Sequence, residues 1–408
     1  MKLVCDITLP ASKSESNRAL MIAAYGGFPA DFQNLSDAND TRVLAKALTE
    51  IQSGKRVIDI ADCGTAARFL ATFLACREGE WILRGTERMK RRPIKPLVDA
   101  LRVLGADIQY VEKENFLPLR IKGKQISGGK VSIDTTQSSQ FASSLLLAAP
   151  MFPQGLELEL FGELNSLPYL DMTLAMMRDF GAVAEREGRK IVVATKPYQP
   201  RSFMVSADWS AASYWYEMAA LSEDCEIRLH GLCGPSTSSG TASLQGDAII
   251  AEWMKSQGVD TLCSENSVVL TKIPFEKRPL SFDFSNHPDL FPTMAATCAG
   301  LQVEARFSGI ANLIIKESDR VEAMKTELAK IDAELVYNAG NEVLLIPSSE
   351  LPFFEKAHPL RFKSYGDHRI VMALAPLAMK VGCVVFDRPE VVEKSYPDFW
   401  HDASFLLH

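Results

Sequence analysis

The sequence predicts an α/β protein made of repeated units, each an amphipathic helix followed by a short β-hairpin. Four segments follow this pattern, and they start at Leu97, Met172, Ile249 and Arg320. The turn residues between helix and hairpin are Gly105, Gly181, Gly258 and Asp332. These turns are 76, 77 and 74 residues apart. Such regular spacing indicates an internal structural repeat.

The length of the chain predicts that the repeats are divided between two domains. With 408 residues the chain is too long for one compact hydrophobic core. Its composition, 47% hydrophobic and 23% charged, is typical of a soluble globular protein. No run of about 18 uncharged apolar residues occurs, so we expect no membrane span.

Within each repeat, the residue pattern justifies a helix and then a hairpin. The first repeat helix places Leu97, Leu101 and Leu104 three and four residues apart, which gives one apolar face. A glycine after such a helix suits the left-handed backbone that commonly ends helices. The paired runs in AEREGRKIVVAT (184–195) flank Gly188, which predicts two strands joined by a turn.

Charge and motif content exclude several function classes. The net charge of −7 and the pI near 5.6 argue against general nucleic-acid binding, which needs a broad basic face. The eight cysteines form no CxxC pair, which leaves zinc and redox motifs unsupported. Scattered thiols and an N-terminus without signal-peptide features predict a cytoplasmic location. The sequence contains no HExxH, GxGxxG or Walker motif, so zinc hydrolysis, dinucleotide binding and ATP binding are not indicated.

Against this acidic background, ERMKRRP (87–93) gathers four cations: Arg88, Lys90, Arg91 and Arg92. A solvated helix face, a nucleic-acid contact and a small bound anion are three possible explanations. The first is the usual outcome for a charge run. Arginine is, however, well suited to bind carboxylates and phosphates through paired hydrogen bonds.

Other polar stretches also lead into apolar helices. They are LPASKSESNRALMIAA (9–24), DCGTAARFL (62–70), TTQSSQFASSLLLAAP (135–150), NHPDLFPTMAA (286–296), NLIIKESDRVEAM (312–324), SYGDHRIVMALAPLAM (364–379) and VVEKSYPDFW (391–400). Helix N-termini favour anions, although helix capping explains any single stretch equally well. Together the stretches predict a site with many donors and a few carboxylates, suited to substrates with several negative charges.

In order and over nearly the whole length, these motifs resemble those of the 5-enolpyruvylshikimate-3-phosphate synthases in the enolpyruvyl transferase family. RMKRRPIKPLVDALRVLGA, SLPYLDMTL, LQGD, IKESDR, YGDHR and KSYPDFW extend the resemblance. It implies two similar α/β domains, each of three repeated helix-and-sheet units, in the inside-out barrel of that family. We expect one domain over residues 12–206 and the other over residues 1–11 and 207–408, with the active site in the cleft between them.

The resemblance also implies a reaction. The enolpyruvyl group of phosphoenolpyruvate would move to the 5-hydroxyl of shikimate 3-phosphate through a tetrahedral intermediate, with release of phosphate, on the route to chorismate and the aromatic amino acids. No metal or organic cofactor, no nucleic acid and no membrane would take part, and the enzyme would be a monomer. The cations would then hold two small polyanionic substrates.

The resemblance assigns roles to individual residues. The expected catalytic residues are Asp289, Glu317 and Lys13. Shikimate 3-phosphate is expected to contact Lys13, Ser14, Arg18, Ser138, Ser139, Ser166, Asp289, Asn312 and Lys316. Phosphoenolpyruvate is expected to contact Lys13, Gly64, Arg88, Gln140, Arg320, Arg369 and Lys394. Tyr169 and His368 are candidates for supporting roles.

This chain departs from the family pattern near the expected enolpyruvate site. Ala11 replaces a glycine, Asp62 and Cys63 replace Asn-Ala, and Phe69 replaces a proline. A sister enzyme, UDP-N-acetylglucosamine enolpyruvyl transferase, carries a cysteine near the position of Arg88, and ERMKRRP has none. A non-catalytic relative that binds anions is a second alternative, and the intact catalytic candidates argue against it.

Overall fold

The computed structural model describes residues 2–29, 31–232, 243–338 and 341–407. The strands in these residues are β1 (Lys2–Thr8), β2 (Phe32–Gln33), β3 (Val57–Asp59), β4 (Gly79–Arg84), β5 (Asp107–Tyr110), β6 (Leu119–Gly123), β7 (Gly129–Asp134), β8 (Leu156–Phe161), β9 (Ala184–Glu187), β10 (Lys190–Val193), β11 (Phe203–Met204), β12 (Asp224–His230), β13 (Val259–Cys263), β14 (Ser267–Lys272), β15 (Leu280–Asp283), β16 (Ala305–Ser308), β17 (Glu334–Asn338), β18 (Glu342–Ile346), β19 (Leu360–Phe362) and β20 (Val384–Phe386). The α-helices are α1 (Lys13–Gly26), α2 (Asn39–Gln52), α3 (Gly64–Ala75), α4 (Lys95–Val103), α5 (Gln140–Ala148), α6 (Leu167–Asp179), α7 (Trp209–Leu221), α8 (Ile250–Lys255), α9 (Phe291–Leu301), α10 (Arg320–Leu328), α11 (His368–Leu374), α12 (Ala378–Val381) and α13 (Phe399–Asp402).

The chain divides into two compact units. The first unit is Lys13–Val205, and the second unit joins Met1–Ser12 to Ser206–His408. Each unit has its own hydrophobic core. Strand β1 enters the second unit from the N-terminus, because it pairs in parallel with β12, with Lys2 opposite Asp224.

Four four-stranded sheets share one topology. Their strand orders are β3-β4-β6-β5 and β7-β8-β10-β9 in the first unit, and β1-β12-β14-β13 and β15-β16-β18-β17 in the second. In every sheet the first two strands are parallel and the last two form an antiparallel hairpin. The predicted helix-plus-hairpin repeat is therefore confirmed in all four segments. Residues 339–340, between β17 and β18 in sequence, lie outside the described part of the chain.

Each unit also contains a smaller parallel sheet that the sequence repeats do not predict. Strand β2 pairs with β11 in the first unit, and β19 pairs with β20 in the second. Neither of these sheets includes a hairpin within the described residues, so the sequence signature of the other repeats is missing. Each unit therefore holds three sheets, as the family resemblance implied.

The turns between repeat helix and hairpin have the predicted left-handed backbone. The φ angles are 94° at Gly105, 88° at Gly181, 85° at Gly258 and 57° at Asp332. Aspartate is among the residues that tolerate this conformation better than most, so the fourth repeat keeps its turn without glycine.

In each unit, some helices are buried almost all round. Helices α3 and α5 have this property in the first unit, and α7, α9 and α11 have it in the second. A helix that is apolar on every side belongs in a core, so its N-terminus is where polar groups collect. Many of the predicted site residues lie at these N-termini.

One buried group in α7 predicts an unusual pH dependence of stability. Glu217 is fully buried, and neither of its carboxyl oxygens has a hydrogen-bond partner within the described residues. Burial raises the pKa of Glu217 well above its ordinary value. The unfolded chain releases this proton above about pH 4.3. Because the folded pKa is raised, stability from this group is present below that pH and is lost as the pH rises towards the folded pKa.

We predict that Glu217→Gln raises the free energy of unfolding at alkaline pH. In the wild type the free energy of unfolding should fall as the pH rises from roughly 5 to 8. The substitution should make this slope shallower by up to about 1.4 kcal/mol per pH unit. Urea denaturation across this range measures the slope. Glu226→Gln changes a half-exposed glutamate on β12 and should keep the wild-type slope. A wild-type slope in Glu217→Gln would mean that Glu217 is already ionised in the folded protein.

Candidate active site

In the second unit the predicted site residues meet at Arg320. Arg320 is the first residue of α10, and it is only 1% exposed. Its Nη1 donates to Asp289 Oδ1 at 2.8 Å, its Nη2 to Glu317 Oε2 at 3.1 Å and its Nε to Asp367 Oδ2 at 3.0 Å. Burial alone would lower the pKa of Arg320, but the three carboxylates outweigh burial and raise it. The guanidinium therefore stays charged inside the protein.

A second arginine shares Asp289. Arg369 Nη2 donates to Asp289 Oδ2 at 2.6 Å, so each oxygen of this carboxylate binds a different guanidinium. Burial would raise the pKa of Asp289, but Arg369, Arg320 and Lys316 hold it well below its ordinary value. Asp289 is accordingly ionised across the neutral range.

Three helix N-termini carry this cluster. Asp289 lies two residues before α9, Arg320 is the first residue of α10, and Arg369 is the second residue of α11. Asp367 caps α11, since its Oδ1 accepts from the backbone N–H of Arg369 at 3.0 Å. Helix N-termini present free N–H groups and a positive dipole end, so they add to the attraction for an anion.

The other predicted residues of the second unit have different surroundings. Asn312 is buried in the short turn Ala311–Leu313, and Lys316 lies in the segment that leads into α10. Lys394 is buried at the end of the 3₁₀ helix Pro389–Lys394, which packs against α11. Tyr214 of α7, which sequence reasoning missed, accepts from Arg369 Nη1 at 3.4 Å.

In the first unit, Lys13 begins α1 and pairs with an acidic residue that sequence reasoning also missed. Its Nζ lies 3.2 Å from Asp40 Oδ2, and both side chains are mostly buried. Asp40 lies in the first turn of α2, where the helix dipole favours a carboxylate. The pair fixes the ammonium group of Lys13 near the start of α1.

Arg18 is more deeply held. It donates through Nε to Thr173 Oγ1 at 2.7 Å, through Nη1 to the Ser14 carbonyl at 2.9 Å and through Nη2 to the Tyr169 carbonyl at 3.0 Å. Burial lowers the pKa of Arg18 to about 10, which still leaves it charged at neutral pH. These bonds use three of the five N–H groups of a guanidinium.

The N-termini of α3 and α5 are joined by a side-chain hydrogen bond. Gln140 Nε2, at the start of α5, donates to Thr65 Oγ1 of α3 at 3.3 Å. Ser138 Oγ accepts from the backbone N–H of Gln140 at 3.2 Å. Ser139, which lies between them in sequence, is buried. Ser166 lies just before α6, where it is buried with a left-handed φ of 59°.

The cationic stretch 87–93 separates into three roles in the structure. A Cβ built on Gly64 would lie 2.4 Å from Arg68 Nη1 and 2.6 Å from Arg92 Nη1, so these two arginines pack on the glycine. Arg88 Nη1 instead lies 3.9 Å from Asp62 Oδ2. Lys90 forms exposed ion pairs with two glutamates. Sequence reasoning chose Arg88 for the enolpyruvate site and left out Arg92 and Arg68.

Across the described residues, no group of three or more His, Cys, Asp or Glu side chains is placed to hold a metal ion. No helix in the same residues is long and apolar enough to cross a membrane.

Comparisons with known proteins all indicate the same enzyme family. The family model described as EPSP synthase (3-phosphoshikimate 1-carboxyvinyltransferase) matches residues 49–403. A 3-phosphoshikimate 1-carboxyvinyltransferase of Bacteroides fragilis (strain YCH46) is 44% identical over 402 residues, covering 98% of this chain and 95% of that protein. A protein of the same name from Histophilus somni (strain 2336) is 35% identical over 426 residues, covering 97% and 95%.

The fold has solved counterparts as well. An EPSP synthase structure from Acinetobacter baumannii matches with a TM-score of 0.73 at 20% identity, covering 99% of this chain and 96% of that one. A likeness at this identity concerns the fold alone, and it confirms the predicted two-domain α/β fold class.

We predict that Asp367→Ala destabilises the protein by roughly 3–5 kcal/mol, because it leaves the buried Arg320 with one carboxylate fewer. Urea denaturation of the variant measures the loss. Glu226→Ala, which breaks a half-exposed ion pair with Lys2, should change stability by at most about 1 kcal/mol. Equal effects from the two substitutions would contradict the special importance of Asp367.

Proposed function

Because the chain belongs to the EPSP synthase (3-phosphoshikimate 1-carboxyvinyltransferase) family, we propose that it joins phosphoenolpyruvate to shikimate 3-phosphate and releases phosphate. The enolpyruvyl group is transferred to the 5-hydroxyl of shikimate 3-phosphate, a step of aromatic amino-acid biosynthesis. The observation that carries the assignment in the site itself is the pair of buried arginines, Arg320 and Arg369, on the single carboxylate Asp289. Such a cluster suits a small ligand with several negative charges.

The reaction needs two proton movements besides the new bond. The 5-hydroxyl oxygen bonds to the central carbon of phosphoenolpyruvate while its proton goes to a base, and the methylene carbon gains a proton to become a methyl group. The tetrahedral intermediate then loses a proton from that methyl group, and the bond to the phosphate oxygen breaks. We assign Asp289, Glu317 and Lys13 to these proton movements, since each carries an ionisable group.

The two arginines would serve both the substrate and the base. Phosphate or carboxylate oxygens of phosphoenolpyruvate compete with Asp289 for the N–H groups of Arg320 and Arg369. An N–H group that donates to the ligand no longer stabilises the ionised form of Asp289 as strongly. The pKa of Asp289 would therefore rise when substrate binds. A carboxylate that is a poor base in the free protein would thereby become a better one in the complex.

The proposed ligand contacts follow the sequence-based assignment, with one addition. Shikimate 3-phosphate contacts are Lys13, Ser14, Arg18, Ser138, Ser139, Ser166, Asp289, Asn312 and Lys316. Phosphoenolpyruvate contacts are Lys13, Gly64, Arg88, Gln140, Arg320, Arg369 and Lys394, and the packing on Gly64 adds Arg92.

We also propose that the enzyme works in the cytoplasm as a monomer. The seven cysteines in the described residues are all free thiols, which suits a reducing compartment. The eighth, Cys233, lies outside the described residues.

Phosphate release tests the function. The purified protein with shikimate 3-phosphate and phosphoenolpyruvate should release phosphate, and UDP-N-acetylglucosamine in place of shikimate 3-phosphate should give none. Release only with the UDP-sugar would move the chain to the sister activity, and no release with either acceptor would indicate a non-catalytic relative.

Glu317→Gln should lower the turnover rate by about 100-fold or more with a small change in KM, because it removes an acid–base group.

A paired substitution distinguishes the two arginines of the cationic stretch. We predict that Arg92→Gln raises KM for phosphoenolpyruvate by roughly 10- to 100-fold, since it removes charged hydrogen bonds beside Gly64. Arg88→Gln should raise KM by a smaller factor than Arg92→Gln, because Asp62 already pairs with Arg88 and would compete with the ligand for it. Steady-state kinetics at saturating shikimate 3-phosphate measures both values. A larger effect at Arg88 would support the original sequence-based choice.

A further inference from the structure

A buried carboxylate two helical turns beyond Arg320 holds the loop that leads to Arg369. Glu327 lies on α10, and its side chain is fully buried. Its Oε1 accepts from the Tyr365 hydroxyl at 2.8 Å, and its Oε2 accepts from the Lys363 backbone N–H at 3.0 Å. Lys330 Nζ donates to Oε2 at 2.6 Å and balances the charge. The proposed reaction uses none of these groups.

The loop that Glu327 holds connects β19 to α11 through residues 363–367 and has a demanding backbone. Tyr365 has a φ of 53° and Gly366 a φ of 64°, so two consecutive residues are left-handed. A tyrosine is disfavoured in this conformation and keeps it only where its surroundings fix it. The bond to Glu327 supplies one constraint, and the bond from the Ser364 N–H to Asp387 Oδ1 at 2.7 Å supplies another.

Helix α10 therefore holds the loop at two points. At its N-terminus Arg320 binds Asp367, and near its C-terminus Glu327 binds Tyr365. Residues 320 and 327 are seven positions apart, which places them on the same helix face and about 10 Å apart along the axis. Together with the bond from Ser364 to Asp387, these two attachments fix the orientation of the loop.

That orientation matters for the anion site because Arg369 follows the loop directly. Asp367 accepts from Arg320 through one oxygen and from the backbone N–H of Arg369 through the other. A turn of the loop would therefore shift Arg369 relative to Arg320, and Asp289 bonds to both.

We infer that Glu327 and Tyr365 are positioning residues that set the separation of Arg320 and Arg369 for phosphoenolpyruvate. The inference rests on the proposed function for the identity of the ligand. Neither residue is assigned a contact with substrate, so their influence passes through the loop 363–367.

Kinetics of conservative variants test the inference. Tyr365→Phe removes one hydroxyl from a side chain that is 37% exposed, so the variant is expected to fold. It should raise KM for phosphoenolpyruvate by about 5- to 10-fold, the loss expected for one ordinary hydrogen bond. KM for shikimate 3-phosphate should change by less than about twofold. Glu327→Ala should raise KM for phosphoenolpyruvate further. Glu327→Gln, whose amide oxygen can still accept from Tyr365, should give a KM between those of Glu327→Ala and wild type.

Tyr337→Phe is the matched control, since Tyr337 is a half-exposed tyrosine on β17 of the same unit. It should leave both KM values unchanged. If Tyr365→Phe and Glu327→Gln lower the melting temperature but keep the wild-type KM for phosphoenolpyruvate, Glu327 is only a structural residue and the inference is wrong.

Amide hydrogen exchange provides a readout that does not depend on turnover. Exchange over residues 360–370 should be faster in Tyr365→Phe than in wild type and unchanged in Tyr337→Phe. Unchanged exchange in Tyr365→Phe would also overturn the inference. Wild-type protein that releases no phosphate would contradict the proposed function, and hydrogen exchange alone would then decide whether Glu327 and Tyr365 position this loop.

Discussion

The Arg320 guanidinium, buried among three carboxylates, is the interaction on which the candidate site depends. Burying a charge costs several kcal/mol unless partners compensate it, and the same holds for each carboxylate. Asp289, Glu317 and Asp367 bring three negative charges, and Arg320 and Arg369 return two positive ones. Lys316 contributes a further positive charge near Asp289. Removing any single member would leave another charge poorly compensated, so the cluster behaves as one unit.

The repeat architecture explains why charges gather at this place. The parallel strand pairs β3–β4, β7–β8, β15–β16 and β19–β20 are connected through the buried helices α3, α5, α9 and α11. The N-termini of these helices therefore lie at strand ends, where backbone N–H groups need partners. In the second unit α9, α10 and α11 begin within a few residues of Asp289, Arg320 and Arg369. The apolar remainder of α9 and α11 fixes these N-termini in the core. Packing and the proposed anion binding thus rely on the same helices.

The sequence predicted the parts of the fold that have local signatures. Helix periodicity and a left-handed turn residue recur at Gly105, Gly181, Gly258 and Asp332, and the structure has a helix and a hairpin at each of them. The sheets β2–β11 and β19–β20 escaped notice because they pair strands without a hairpin. Residues 32–33 and 203–204 are far apart in sequence, and no local pattern marks such a pairing.

The candidate site shows the same division between local and long-range information. Motifs located Arg320, Arg369 and Asp289, because each stands beside a recognisable helix start. The choice between Arg88 and Arg92 was beyond sequence reasoning, since both lie in one short cationic stretch and only its backbone path decides which reaches Gly64. Asp40 and Glu327 were missed for a related reason. Each compensates or fixes a residue that is distant in sequence, and a lone acidic residue on a helix is ordinarily solvated.

The compensated charge cluster also explains how the two buried arginines of the candidate site can persist in a protein without a ligand. Two arginines at adjacent helix N-termini would repel each other if no anion were present. Asp289 takes the place of that anion, since each of its oxygens accepts from one guanidinium. A ligand that enters with its own negative charges replaces an existing interaction, so its net gain is smaller than the contacts alone suggest. In exchange, the arginines are already oriented before binding, and Glu327 holds one side of that arrangement through the loop at Tyr365. Preorganisation of this kind lets electrostatic stabilisation act without rearrangement during the reaction.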